Sequence, residues 1–206
     1  MAAVTGPASL AGVVLAGGAS LRAGRDKSVK PVAAGHSGSE APATLVENAV
    51  SIIGQRCQPV FVVAAPGQKL PNLSAQVVRD DVRGLGPLLA VARGLHAAAA
   101  AGAKRAFICA VDVPFLTADL IDVLLARATE VDADVVLPWD GSNRYLVGVY
   151  RTGLAAKIDE LVAAGERNMP ALVDYVDTQR VVISEPHAST GGKPASGLRR
   201  LLLAAR

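Results

Sequence analysis

Aromatic side chains are scarce in this chain: one Trp, three Tyr and three Phe among 206 residues, or 3%. Proteins that hold single-stranded nucleic acid stack its bases on such rings, and no long basic stripe makes up for the shortage here, so nucleic acid is a poor fit as a partner. Cysteine is nearly as rare. Cys57 and Cys109 stand far apart without CxxC or metal-ligand spacing, which argues for core thiols in a reducing compartment rather than a disulfide scaffold or a zinc ribbon. His36, His96 and His187 form no spaced ligand set, and there is no GxSxG elbow or Cys-His context, so zinc chemistry and a covalent nucleophile lack their residues. The apolar run 10–16 is too short to cross a bilayer, and no basic segment precedes it. The expectation is a cytoplasmic protein with no membrane partner.

Apolar residues, by contrast, make up 51% of the chain, mostly Ala, Val and Leu. These are the usual filling between helices and a parallel sheet. Runs rich in Val, Ile and Phe at 12–15, 60–64, 76–78 and 106–111 are almost continuously apolar, as strands covered on both faces should be. Each is followed by helical periodicity, the alternation of βαβ units. Helices are expected over 44–57, with Thr44 and Glu47 in a capping-box arrangement, over 87–101, and from the N-cap Thr117 onward. Two strand-like runs flank Asp140-Gly141 and suggest a hairpin or a longer excursion. Further helices are expected near 153–164 and 169–176, and "RVVIS" (180–184) reads as a last strand. The stretches 33–42 and 184–197 are dense in Gly, Ser and Pro and read as loops. No domain boundary and no internal repeat is evident. The expected fold is α/β: one three-layer α/β/α domain over 1–206 with a mostly parallel, Rossmann-like central sheet.

The segment "VVLAGGASLRAGRDKSVKPV" (13–32) carries the strongest functional signal. An apolar strand ends in Leu15, Ala16, Gly17 and Gly18, and Arg22, Arg25, Lys27 and Lys30 follow. At the carboxyl end of a parallel strand, glycines let backbone amides approach phosphate oxygens and cations balance their charge. The segment therefore suits a polyanion. Its spacing matches neither GxGxxG nor GxxxxGK[ST], which removes the dinucleotide-binding and Walker mechanisms. Asp112, in "CAVDVPF", ends another apolar strand, where an ionised carboxylate is costly unless paired or bound to a cation. Asp80 and Asp81 close a third strand ahead of "GLGPL" (84–88), and Gly84, Gly86 and Pro87 there would form a close backbone wall.

"LAGGASLRAGRDK" resembles the signature of nucleotidyltransferases, and most closely that of the molybdenum cofactor guanylyltransferases of the MobA type. The likeness continues in order through "RDDVRGLGPL", "FICAVDVPFL", "VVLPWDG" and "AGERNMPALV". It implies a nucleotide-diphospho-sugar transferase-like fold, with a nucleotide half near 10–115 and an acceptor half near 116–206. It also implies transfer of GMP from GTP to molybdopterin bearing molybdenum, with release of pyrophosphate. On this reading Leu15, Ala16, Gly17 and Gly18 face the nucleotide, Arg22 and Lys27 meet its phosphates, and Asp80 reads guanine beside Gly86. Asp112 would hold Mg²⁺. Trp139, Arg144, Tyr145 and Arg167 are candidates for the acceptor. Transient contact with cofactor-assembly proteins or apo-molybdoenzymes is a further expectation.

The likeness fails after residue 184. Aligning "TGGKPASGL" with the family's Asn-x-Asn-Thr element puts Gly191 and Lys193 at the two asparagines, so neither side-chain oxygen is present to help hold a cation. Ala23 replaces the usual methionine, and the family's asparagine after the second strand is not evident in "VVAAPG". Two alternatives therefore stay open: a cytidylyl- or sugar-phosphate nucleotidyltransferase, and a divergent paralogue that binds nucleotide and assists cofactor assembly without efficient transfer.

Overall fold

A computed structural model describes residues 10–17, 28–31, 43–79 and 86–183. Its centre is strand β1 (Leu10–Leu15), six buried residues in a row. No polar position interrupts them, because β1 runs parallel to a neighbour on each side and helices cover both faces. On one side it pairs with β2 (Val60–Ala64), which pairs with β3 (Gln76–Arg79), both in parallel. On the other it pairs with β4 (Arg105–Ala110), again in parallel, so that Val13 lies between Phe61 and Ile108.

Beyond β4 come β5 (Val135–Trp139), β6 (Val147–Arg151) and β7 (Thr178–Val182), giving the order β3-β2-β1-β4-β6-β5-β7. Only β6 is reversed, antiparallel to both β4 and β5. The two runs around Asp140-Gly141 are therefore adjacent antiparallel strands, as the sequence suggested.

Side chains along each strand alternate between two cores. Val14, Val62, Phe107 and Val149 face helices α1 (Leu45–Ile53) and α3 (Ala118–Glu130). Val13, Val63, Ile108 and Tyr150 face α2 (Pro87–Ala100), α4 (Leu154–Ala163) and the short α5 (Pro170–Val173). Three layers result. They meet most tightly at β1, where glycine makes room on both faces. A Cβ on Gly12 would lie 2.3 Å from Ile53 Cγ2, and one on Gly94 of α2 would lie 2.3 Å from Val13 Cγ1.

The start of α1 joins sequence signals to the site described below. Thr44 Oγ1 accepts from the Glu47 amide, and Glu47 Oε2 accepts from the Thr44 amide at 2.8 Å, completing the capping box. The Thr44 hydroxyl also donates to Glu47 Oε2 at 2.7 Å, and this bond, with help from the Thr44 amide, holds the Glu47 carboxyl below its ordinary value. The next two amides donate to main-chain carbonyls, Leu45 to Lys30 and Val46 to Ser28, and residues 28–31 are thereby docked on the helix. α1 ends earlier than its apolar pattern suggested, because the Gly54 amide turns back to the carbonyls of Val50 and Ile52. α5 is likewise a single turn rather than the longer helix expected over 169–176.

Candidate active site

β1 leads β2 and β3 to one side of the sheet and β4 to the other, so the strand order reverses between β1 and β4. Open α/β sheets bind their ligands in the crevice at such a switch point, beyond the carboxyl ends of the strands. Leu15, Ala16 and Gly17 form the end of β1 there. The amides of Ala16 and Gly17 both donate to the Val63 carbonyl, at 2.9 and 3.1 Å, which draws the turn tightly against β2. A Cβ on Gly17 would stand 2.8 Å from the Ala65 nitrogen, so the backbone itself demands glycine at this place.

Asp112 comes from the other strand. The Val111 amide donates to the Leu15 carbonyl at 3.3 Å, which carries the pairing of β1 and β4 one step past the strands and sets Asp112 beside the glycine turn. Asp112 is exposed and lines a cavity of about 680 Å³ at this rim. It is not the cap of the following helix. Thr117 Oγ1 accepts the Leu120 amide at 3.2 Å and fills that role. Behind Asp112, burial pushes the Cys109 thiol up to about 12, with the Asp112 charge adding to the effect, and burial with the Asp122 charge does the same at Cys57. Both cysteines are free and buried, which leaves neither as a thiolate nucleophile.

The rest of the cavity is lined by Pro87, Ala110 and residues of 113–115, 143–147 and 168–170. Arg144 and Tyr145 line it, as the sequence suggested, together with Phe115, Asn143 and Asn168, which it did not single out. Asp140 Oδ2 accepts from Arg144 Nη2 at 2.9 Å, and Ser142 Oγ donates to Asp140 Oδ1 at 2.8 Å. The hydrogen bond from Arg144, with help from Ser142, holds the Asp140 carboxyl down at about 2. The Arg144 guanidinium lies 5.6 Å from the centre of the Phe115 ring. From below, the hydroxyl of buried Tyr150 donates to the Tyr145 carbonyl and fixes the connector to β6.

Trp139 and Arg167 do not line this cavity. The Trp139 carbonyl accepts from the Ile183 amide at the sheet edge. Arg167 donates to the carbonyls of Val162 and Glu166, and its own carbonyl accepts from the Leu88 amide in the first turn of α2. Gly86 precedes that turn with φ 88°, and a Cβ there would meet the Arg167 oxygen at 2.6 Å. Gly86 therefore packs closely on the main chain of Arg167, which takes part there through its carbonyl and not its side chain. Gly18, Arg22, Arg25, Lys27, Asp80, Asp81, Gly84, Gly191 and Lys193 lie outside the described residues.

A larger cavity, about 1030 Å³, opens at the amino ends of β2 and β3 beside Cys57 and Pro59. It is remote from the glycine turn and from Asp112, and the switch-point rule gives it no part in the chemistry.

Among solved structures, this arrangement defines a nucleotidyltransferase fold. The chain is similar to molybdopterin-guanine dinucleotide biosynthesis protein A from Archaeoglobus fulgidus, with a TM-score of 0.64 and 15% identity over 84% of this chain and 83% of that one. It is equally similar in fold to 2-C-methyl-D-erythritol 4-phosphate cytidylyltransferase from Thermus thermophilus, with a TM-score of 0.63 and 17% identity over 90% and 94%. Sequence narrows the class. The chain belongs to the MobA-like NTP transferase family, whose model matches residues 12–181. A relative from Mycobacterium tuberculosis named as a molybdenum cofactor guanylyltransferase is 57% identical over 189 residues, 92% of this chain and 91% of its own. One of the same name from Mycobacterium marinum is 59% identical over 177 residues, 86% and 85% of the two chains.

Proposed function

We propose that this chain transfers GMP from GTP to molybdopterin bearing molybdenum, forming the guanine dinucleotide cofactor and releasing pyrophosphate, in a reaction that depends on Mg²⁺. The observation that carries the reading is the bond from the Val111 amide to the Leu15 carbonyl, which brings Asp112 alongside the glycine turn at the mouth of a cavity reaching into the acceptor half. An oxygen of the acceptor phosphate attacks the α-phosphorus of GTP, the bond from that phosphorus to the bridging oxygen breaks, and the electron pair leaves with pyrophosphate. No group of the protein becomes covalently attached. Catalysis consists of holding two anions in line and stabilising the charge that develops on the leaving group.

Leu15, Ala16 and Gly17 form the floor beneath the nucleotide, with the Ala16 and Gly17 amides held by the Val63 carbonyl, and Gly18, Arg22 and Lys27, which follow in the chain, meet its phosphates. Asp80 selects guanine, since one carboxylate can accept from both the ring N–H and the exocyclic amine, a pair of donors that adenine does not offer. Gly86 closes the backbone wall beside it. The connector bearing Arg144 and Tyr145 receives the acceptor.

The donor set suits magnesium. No group of three His, Cys, Asp or Glu able to hold a metal occurs among the described residues, whereas Asp112 offers a single exposed carboxylate. Mg²⁺ characteristically takes one or two carboxylates together with substrate phosphate and water. Asp112 would hold it, and it would supply charge neutralisation at the phosphates. Two unpaired thiols support a cytoplasmic location, and apo-molybdoenzymes or assembly proteins are the partners that would take up the product.

The test is calorimetric titration with GTP, CTP and ATP, with Mg²⁺ and with EDTA, alongside pyrophosphate release in the presence of acceptor. The expected result is Mg²⁺-dependent preference for GTP, with Asp112→Asn lowering turnover by roughly a hundredfold or more. Equal binding of CTP would turn the reading to the cytidylyl class. Undiminished turnover in Asp112→Asn would remove that residue from the mechanism. A second reading, nucleotide binding without efficient transfer, is favoured by Gly191 and Lys193 in place of the two asparagines. GTP binding with no pyrophosphate release at saturating acceptor would establish it instead.

A further inference from the structure

Gln68 lies in the connection after β2, 52 residues from Ala16 and 40 from Ser28, yet its carboxamide meets both of them as well as the nearby Ala65. Oε1 accepts from the Ala65 amide at 2.9 Å, while Nε2 donates to the Ala16 carbonyl at 3.2 Å and to Ser28 Oγ at 2.9 Å. Ala16 and Ser28 flank the segment in which Gly18, Arg22 and Lys27 occur, and Ser28 follows Lys27 directly. The orientation of the amide is fixed by chemistry. Reversed, it would set its oxygen against the Ala16 carbonyl and its NH₂ against the Ala65 N–H, losing both bonds.

Gln68 is itself held firmly. Pro66 and Gly67, the latter at φ 68°, make a tight turn closed by the Gln68 amide donating to the Ala65 carbonyl at 3.1 Å, the pattern in which Pro and a positive-φ Gly occupy the two central positions. Arg79, the last residue of β3, donates to the Gln68 carbonyl at 2.9 Å. One half-buried residue therefore joins the glycine turn, the fully buried Ser28, the end of β2 and the end of β3, next to Asp80.

We propose that Gln68 is a positioning residue of the nucleotide site, fixing Ala16 at the glycine turn and Ser28, the neighbour of Lys27, against the turn after β2. The inference rests on the nucleotidyl-transfer reading above. Its energetic logic is preorganisation. Groups that the ligand must otherwise fix cost it entropy, and Ala16 and Ser28 are already fixed by Gln68 in the free protein. Gln68 touches nothing that reacts, so its contribution falls on nucleotide affinity rather than on the chemical step.

The experiment measures KM and kcat for GTP, KM for the acceptor and calorimetric Kd for GTP in the wild type, Gln68→Ala, Gln68→Met, Ser28→Ala and the Gln68→Ala/Ser28→Ala pair, with melting temperatures recorded for all. Gln68→Met keeps the length and bulk of the side chain while removing its hydrogen bonds. Loss of the tie is expected to raise GTP KM and Kd roughly tenfold, with kcat within about twofold and acceptor KM unchanged. Ser28→Ala should show part of that rise, and the double variant should bind GTP no worse than Gln68→Ala, since both substitutions cut one link. Should the Gln68 variants fail to fold, Ser28→Ala carries the same comparison. Folded variants with wild-type GTP KM overturn the proposal and leave the guanylyl reading standing, as do variants in which GTP and acceptor constants and kcat all worsen together. A wild-type chain that binds no nucleotide overturns both.

Discussion

Gly17 shows how far single residues could be read before any coordinates. Its place after an apolar strand and ahead of a cluster of cations suggested close approach to phosphate, whereas the structure supplies a packing reason for glycine, since a Cβ there would stand 2.8 Å from the Ala65 nitrogen. Gly17→Ala must therefore push the end of β1 away from the Ala65 turn. The expected cost is about 1–3 kcal/mol of stability, together with weaker GTP binding, read from thermal melts and calorimetry. Gly153→Ala is the control, because its Cβ would meet nothing within 4 Å and its φ of −60° is ordinary for alanine; its melt should match the wild type or exceed it slightly. Asp112 was equally legible, as a carboxylate at a strand terminus with a better-placed helix cap close by in Thr117. Gln68 was not. Its partners lie 52 and 40 residues away, and no local pattern in a Pro-Gly turn announces contacts that only the packing of β2 beside β1 creates.

Among the elements, the strands buried on both faces were the easiest to place. β2 falls where its apolar run predicted it, at Val60–Ala64. Elements that end in turns were harder, because hydrophobic periodicity persists beyond the hydrogen bonds. α1 stops at Ile53 and α5 at Val173, each where backbone amides turn back on the preceding carbonyls. The connector between β5 and β6 is held by local polar chemistry, and that makes it sensitive to pH. The Asp140 carboxyl sits at about 2, first through Arg144 and then through Ser142, below the roughly 3.9 of an unfolded chain. Its ionised form thus stabilises the fold fully above about pH 4, and the contribution is lost as pH falls from there through about 2. In thermal melts across pH, the gap between wild type and Asp140→Asn should stay constant from pH 7 to about pH 4 and close toward pH 2. A gap that persists undiminished at pH 2 would show that ionisation is not what holds the connector.

At the scale of the whole molecule, alternation of strands and helices conveyed a three-layer α/β fold, but not which strands would be neighbours. Strand order depends on contacts between residues distant in the chain, and sequence periodicity records only which faces are covered. The tightness of the layers was also hidden. Gly94 reads as one small residue in an alanine-rich helix, yet it lets α2 descend onto Val13 until a Cβ would overlap the valine at 2.3 Å. Gly94→Ala should lift α2 from the sheet and lower stability by about 1–3 kcal/mol, visible as a fall of several degrees in melting temperature. A melt identical to wild type would mean that the helix has room the packing does not show.

The reversal of β6 bears on how such an enzyme changes over generations. Because β6 runs against its neighbours, the chain returns at the same rim where β5 ended, and the wall of the cavity there is a short connector rather than the underside of a crossover helix. A connector of this kind can lengthen, shorten or be exchanged without reordering a single strand. Under the proposed function, the side chains that this connector offers to the acceptor are heritable as a cassette, separate from the strand ends assigned to the nucleotide. Descendants of one ancestral fold can keep their nucleotide while adopting a new phosphate-bearing partner, and a laboratory graft of 140–146 follows the same route.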